Sequence, residues 1–170
     1  FRPQRPSHYL IVSGDQLYRM NMAEMFHKHL ESGCRLTIAC TNVTREAASA
    51  FGIAKIDSKS RIQDFLEKPA ATKDIGDFRI PHELVTDRRS SGRDFLASMG
   101  IYLFDAELME RALDNEVMDF GKEVIPSILK TEAVNAYPFD GYWEDIGTIR
   151  SFYDANLNLT AINPEFNFYD

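Results

Sequence analysis

The apolar run Tyr9-Leu10-Ile11-Val12 stops abruptly on Ser13-Gly14-Asp15. A short apolar run closed by Gly-Asp reads as a buried, parallel strand with a carboxylate at its C-terminal tip. In open α/β sheets, ligands bind just outside the C-terminal ends of the strands. Asp15 therefore stands where chemistry is usually done. It has a candidate partner far along the chain, Asp145 in Gly141-Tyr142-Trp143-Glu144-Asp145-Ile146-Gly147-Thr148.

Downstream of that strand the pattern alternates between strand and helix periods. Met22, Met25, Phe26 and Leu30 share a helical spacing; Asn21 with Glu24 resembles a capping box, and Gly33 fits the stop. Residues 35–40 read as a strand and Thr44 to Ala50 as a short helix. Residues 52–57 and 61–66 flank a polar turn and read as a β-hairpin. Residues 70–94 are polar, with a short helix expected near Pro81 to Asp87; a loop of that length is usually functional or mobile. Phe95 to Phe104 read as a strand, and Asp105 caps a helix running to Leu113. Phe120 to Leu129 read as a helix broken near Pro126. Ala133 to Phe139 read as the last strand, and Thr148 caps a final helix. The sum is α/β with a mixed sheet, mostly parallel strands plus the antiparallel hairpin.

Composition narrows the function classes. At 170 residues and 44% hydrophobic, the chain has enough material for one domain with a true core. The net charge of −7 argues against general nucleic-acid binding, which needs a basic face. It leaves room for a small phosphorylated ligand, which needs only a local Lys and a metal. No apolar run approaches the roughly 20 residues of a membrane span, and no signal-peptide h-region follows the basic start. Cys34 and Cys40 have no CxxC or His companion and read as buried free thiols of a reducing cytoplasm. The chain lacks an initiator Met and enters a strand at once, which predicts a piece of a longer protein.

The candidate chemistry lies in short segments. Two carboxylates converging at a sheet edge suit a magnesium ion that carries phosphates, because Mg²⁺ is hard and prefers oxygen. Alone, Asp15 also fits a turn cap and Asp145 a favourable charge at a helix N-terminus. Glu67-Lys68-Pro69 ends the hairpin, where Lys68 could meet a phosphate or form a surface ion pair. Ser98 and Gly100 weaken a strand unless something approaches closely. Asp119 reads as an N-cap that could accept sugar hydroxyls, and Trp143 as a stacking face or a core aromatic. Arg88, Arg89 and Arg93 read as a solvated loop, with anion binding the alternative. The four histidines show no ligand spacing, and no P-loop or Gly-x-Ser-x-Gly occurs.

The ordered set carries more than its parts. Ser13-Gly14-Asp15-Gln16-Leu17-Tyr18-Arg19-Met20, Phe51-Gly52, Phe65-Leu66-Glu67-Lys68-Pro69, Leu96-Ala97-Ser98-Met99-Gly100-Ile101-Tyr102, Asp119-Phe120-Gly121-Lys122-Glu123-Val124-Ile125-Pro126 and Tyr142-Trp143-Glu144-Asp145-Ile146-Gly147-Thr148 follow one another, with Phe166-Asn167-Phe168-Tyr169-Asp170 closing the chain. This order resembles the sugar nucleotidyltransferases, and within them the glucose-1-phosphate adenylyltransferases, also called ADP-glucose pyrophosphorylases.

The resemblance implies a Rossmann-like nucleotidyltransferase sheet with flanking helices. It implies the reaction of ATP with glucose 1-phosphate to give ADP-glucose and pyrophosphate, for glycogen or starch synthesis. It also implies Mg²⁺ as cofactor, a cytoplasmic or plastid location, and a parent enzyme that is a homo- or hetero-tetramer. By resemblance, Asp15 and Asp145 hold the metal. Lys68 contacts the sugar phosphate, and Glu67 contacts the glucose hydroxyls. Ser98, Tyr102, Asp119, Phe120 and Trp143 line the sugar pocket, and Gly52 admits close approach. The family's Gly-rich loop Gly-Gly-x-Gly-x-Arg-Leu and its C-terminal left-handed β-helix do not occur here. The expectation is a partial catalytic domain over 1–170, lacking the first strands of its sheet and inactive alone. Two other readings stay open: a sugar-1-phosphate nucleotidyltransferase using UTP, TTP or GTP, and a non-catalytic truncated subunit.

Overall fold

The computed structural model describes residues 5–84, 92–114 and 119–166. Arg88, Arg89, the far end of the turn expected at Pro81 to Asp87, and the closing residues 167–170 lie outside them. The chain order is β1 (His8–Ile11), β2 (Gln16–Tyr18), α1 (Met22–Ser32), β3 (Leu36–Val43), β4 (Gly52–Ile56), β5 (Arg61–Glu67), β6 (Phe95–Asp105), α2 (Ala106–Leu113), α3 (Ile125–Ile128), β7 (Val134–Pro138), β8 (Trp143–Asp145) and α4 (Ile149–Leu159). A six-stranded sheet runs β1-β6-β3-β7-β5-β4, and β4 turns back to pair with the start of β6 as well. The mixed α/β reading holds.

The expected direction of the strands does not. Among the described strands, only β3 and β7 run parallel. The other ladders, β1–β6, β3–β6, β4–β5, β4–β6 and β5–β7, are antiparallel. The misreading has a physical source. β3 and β6 sit at the sheet centre with both faces covered, so their sequences are near-continuous apolar runs whatever their direction. β1 is likewise neither parallel nor buried. Among the described strands it pairs only with β6; Leu10 on it is 46% exposed, and Val12 just past its end 49%.

Local sequence explains the helix ends. Asn21 Oδ1 accepts the Glu24 amide at 3.2 Å, and Gly33, at φ +65°, closes α1 by donating to the Leu30 carbonyl. Asp105 accepts the Leu108 amide to start α2. Thr148 and Ser151 form a reciprocal capping box on α4. The expected helix Phe120–Leu129 is split into a π-turn at Phe120–Val124 and then α3. Pro126 falls in the first turn of α3, where its missing N–H leaves no bond unmade. Thr44–Ala50 yields a 3₁₀ turn at Ala47–Ala50. The 70–84 stretch is pinned by buried Ile75 and Ile80 and holds two 3₁₀ turns, Gly76–Phe78 and His82–Leu84.

The core lies on both sides of the sheet. Leu36, Ile38, Cys40, Ala54, Leu96, Phe104 and Ile125 fill one side. Met25, Ala39, Met99, Ile101 and Leu103 fill the other, under α1. Cys34 and Cys40 are buried and unpaired, and burial pushes the Cys40 thiol up to about 12. No helix among the described residues is long and apolar enough to cross a membrane.

Candidate active site

Asp15 and Asp145 meet through an element the sequence did not announce. β7 is not the last strand: β2 and β8 form a separate antiparallel ribbon in which Gln16 faces Asp145. The Ile146 amide donates to the Asp15 carbonyl at 3.0 Å and extends that ribbon by one bond. Both carboxylates then point at Gly147. A methyl placed on Gly147 would lie 2.9 Å from Asp15 Oδ2 and 3.0 Å from Asp145 Oδ1. The two acids therefore face each other across a gap no wider than those distances together, and a side chain at position 147 would crowd both. Ser13 Oγ donates to Asp15 Oδ1 at 2.5 Å, and the Gly147 amide donates to Asp145 Oδ1 at 2.8 Å.

No group of three or more His, Cys, Asp or Glu side chains placed to hold a metal occurs among the described residues. The pair alone offers hard oxygen donors. That donor set fits a magnesium ion completed by water and phosphate oxygens, the usual arrangement for Mg²⁺.

A second group gathers at the end of the hairpin. The Glu67 carboxylate lies against two bare backbones. A Cβ on Gly52 would sit 2.7 Å from Glu67 Oε2, and one on Gly121 would sit 2.6 Å from Glu67 Cδ. Both glycines let the Glu67 carboxylate lie close to the backbone, and the Phe65 ring also packs against Gly52. Burial pushes the Glu67 carboxyl above its ordinary value, Lys68 opposes that shift, and Asp119 adds to it. Lys68 is exposed, at φ +43°, with its amide bonded to the Phe51 carbonyl at 3.0 Å. Asp119 caps the π-turn by accepting the Lys122 amide at 2.9 Å, and that bond holds its carboxyl below the usual range. Tyr102 stacks on Phe120, with ring centroids 5.5 Å apart and planes 14° from parallel. Burial raises the Tyr102 hydroxyl, and a hydrogen bond with Ser98 opposes the shift. So Gly52, Glu67, Lys68, Ser98, Tyr102, Asp119 and Phe120 stand together.

Trp143 borders that group through Phe51, whose carbonyl accepts the Lys68 amide. On β6, Tyr102 and Phe104 face the first core, while Ile101 and Leu103 face the second. Trp143 packs against the second, with its ring edge-on to Phe51 at 5.3 Å. Its Nε1 is buried without a partner. Beside it a cleft of about 320 Å³ runs between Thr41–Thr44, Phe51, Arg93, Gly141, Trp143 and Glu144, with Asp145 on its rim.

Sequence reasoning missed Ser13, Gly121, Gly147 and the β2–β8 ribbon. Three-residue strands carry too few positions for a period-2 signal. The close approach at Gly121 and Gly147 is visible only when a distant carboxylate is in place.

The motif order is matched by known proteins. Residues 1–162 match the nucleotidyl transferase family model. A glucose-1-phosphate adenylyltransferase of Alteromonas mediterranea is 42% identical over 182 aligned residues, which cover 99% of this chain and 39% of that protein. The glucose-1-phosphate adenylyltransferase large subunit 1, chloroplastic/amyloplastic, of Zea mays is 41% identical, over 95% of this chain and 32% of that protein. The chain thus spans about a third to two fifths of the length of these relatives. With a family match over nearly all of its residues, this chain belongs to the nucleotidyl transferases.

Proposed function

We propose that the enzyme containing this chain transfers AMP from ATP to glucose 1-phosphate, giving ADP-glucose and pyrophosphate. The observation that carries the reading is the convergence of Asp15 and Asp145 on Gly147, within a chain whose relatives bear that activity in their names. The reaction needs no general base. A sugar-phosphate oxygen, already an anion, attacks the α-phosphorus of ATP in line, and the bond to the β-phosphate oxygen breaks as pyrophosphate leaves. Catalysis then rests on placement and on charge neutralisation.

In this reading Asp15 and Asp145 hold Mg²⁺, which would neutralise phosphate charge and orient the α-phosphate. Lys68 presents its ammonium to the phosphate of the sugar. Glu67 accepts sugar hydroxyls, with Asp119 beside it, while Ser98, Tyr102 and Phe120 wall the pocket and Gly52 keeps it open. Trp143 would serve from beside Phe51, in the cleft it shares with Asp145.

The printed name of the maize protein calls it a plastid large subunit. We extend that to an oligomeric enzyme here, a homo- or hetero-tetramer. Its place would be the plastid in a photosynthetic source and the cytoplasm otherwise, supplying glycogen or starch synthesis.

Pyrophosphate release by the intact enzyme, given each NTP with glucose 1-phosphate and Mg²⁺, tests the proposal. ATP should be preferred, and Asp145→Asn should lower kcat by orders of magnitude. Preference for UTP, TTP or GTP would overturn the choice of nucleotide. Full activity in Asp145→Asn would remove the carboxylate pair from the mechanism.

A further inference from the structure

The Asp15 carboxylate is not held by the ribbon alone. Its Oδ1 accepts a 2.5 Å hydrogen bond from Ser13 Oγ, and its Oδ2 is the atom turned toward Gly147 and Asp145. One oxygen is anchored so that the other is aimed. The anchor has its own seat. Mid-way along β6, Gly100 adopts φ +67°, and a Cβ there would lie 3.4 Å from Ser13 Cβ and 3.3 Å from Gln16 Nε2. The bare, left-handed Gly100 is thus what lets residues 13–16 lie down on the central strand. The Gly100 amide is itself occupied by Ser98 Oγ at 3.2 Å.

We infer that Ser13 is the positioning residue of the metal pair: its hydroxyl fixes the rotation of the Asp15 carboxylate so that one oxygen faces Asp145. The inference rests on the reading of Asp15 and Asp145 as metal-holding groups. A carboxylate has two equivalent oxygens and turns freely about its last torsion unless one of them is held. Partners that orient metal-holding side chains are typically worth about 10–100-fold in metal affinity. A local hydrogen bond two residues along the chain is also a common turn device, which would tidy the loop without touching metal affinity. The two roles separate by experiment.

Mn²⁺ serves as the probe, titrated into the full chain and followed by water-proton relaxation, with far-UV circular dichroism as a check on folding. Ser13→Ala should weaken Mn²⁺ binding by roughly 10-fold or more. Ser13→Thr, which keeps the hydroxyl, should restore most of it at equal folding. Asp15→Asn and Asp145→Asn should each abolish the specific signal. If both Asn variants lose Mn²⁺ while folded Ser13→Ala binds like the wild type, the positioning role fails and the metal reading stands. If neither Asn variant changes binding, or the wild type binds no Mn²⁺, the metal reading fails and takes this inference with it. Equal loss in Ser13→Ala and Ser13→Thr, with both folded, would assign the effect to packing and also overturn it.

Discussion

Lys68 holds φ at +43°, a region that non-glycine residues rarely enter without compensation. The strain places an exposed ammonium directly after half-buried Glu67, the last residue of β5, and before buried Pro69. Glycine would adopt the same backbone at no steric cost. Lys68→Gly should therefore gain about 1 kcal/mol of stability in urea unfolding. In the intact enzyme the same change should raise KM for glucose 1-phosphate with a smaller effect on kcat. A Lys68→Gly enzyme with an unchanged sugar-phosphate KM would remove this residue from the site.

Glu67 carries a related conflict. Burial raises its carboxyl, so its charged form weighs against folding at neutral pH. Wild type should gain relative stability as pH falls through the raised folded value toward the ordinary 4.5. Glu67→Gln should melt higher than wild type near pH 7.5, and the difference should close as pH approaches that ordinary value. Parallel melting curves at both pH values would mean the acid is well solvated. Glu67→Gln should also weaken sugar-phosphate binding, since an amide presents one acceptor where the carboxylate presents two.

Among the elements, β6 bears the most. It pairs with β1, β3 and β4, and its residue Gly100 is the seat of the Ser13–Gln16 segment. Gly100→Ala would meet both the left-handed backbone and the 3.3–3.4 Å approach of Gln16 and Ser13. It should lower stability by about 1–2 kcal/mol, read by urea unfolding. A change below a few tenths would show that the loop can lift off the strand freely.

This strand also shows what could be read in advance. Its extent, the hairpin before it and the Asp105 cap after it follow from local pattern and capping chemistry. Its antiparallel partners do not, because Leu96 and Phe104 would be buried in either direction. Gly100 could be suspected of a bend, but what rests on it comes from residues 13–16, far away in sequence. The same holds for the site. Asp15 and Asp145 were legible as acids at element ends, whereas the ribbon that joins them was not. The gathering of Glu67 with Gly121 depends on the π-turn replacing a regular helix there.

The whole molecule keeps much apolar surface in view. Leu10 on β1 and Val12 just past its end are about half exposed, and on α4 Ile149 is 92%, Phe152 55%, Tyr153 59% and Leu157 50% exposed. Patches of this kind bind other surfaces, and an uncovered strand edge pairs readily. The chain on its own should bind a hydrophobic dye and self-associate with rising concentration in sedimentation velocity. Leu10→Lys with Val12→Lys should reduce that association without altering the fold. A strictly monomeric chain with no dye binding would show these side chains to be adequately solvated.

The carboxylate pair does not ride on the main sheet. It is carried by a clasp of two three-residue strands, closed by few backbone bonds. Such a clasp can unlatch while the sheet below stays intact, because local opening draws on the weakest bonds first. If the pair holds an ion as proposed, the ion would also latch this clasp. Amide exchange at Ile146 and Gly147 should then slow when Mn²⁺ is added, and stay unchanged by it in Asp145→Asn.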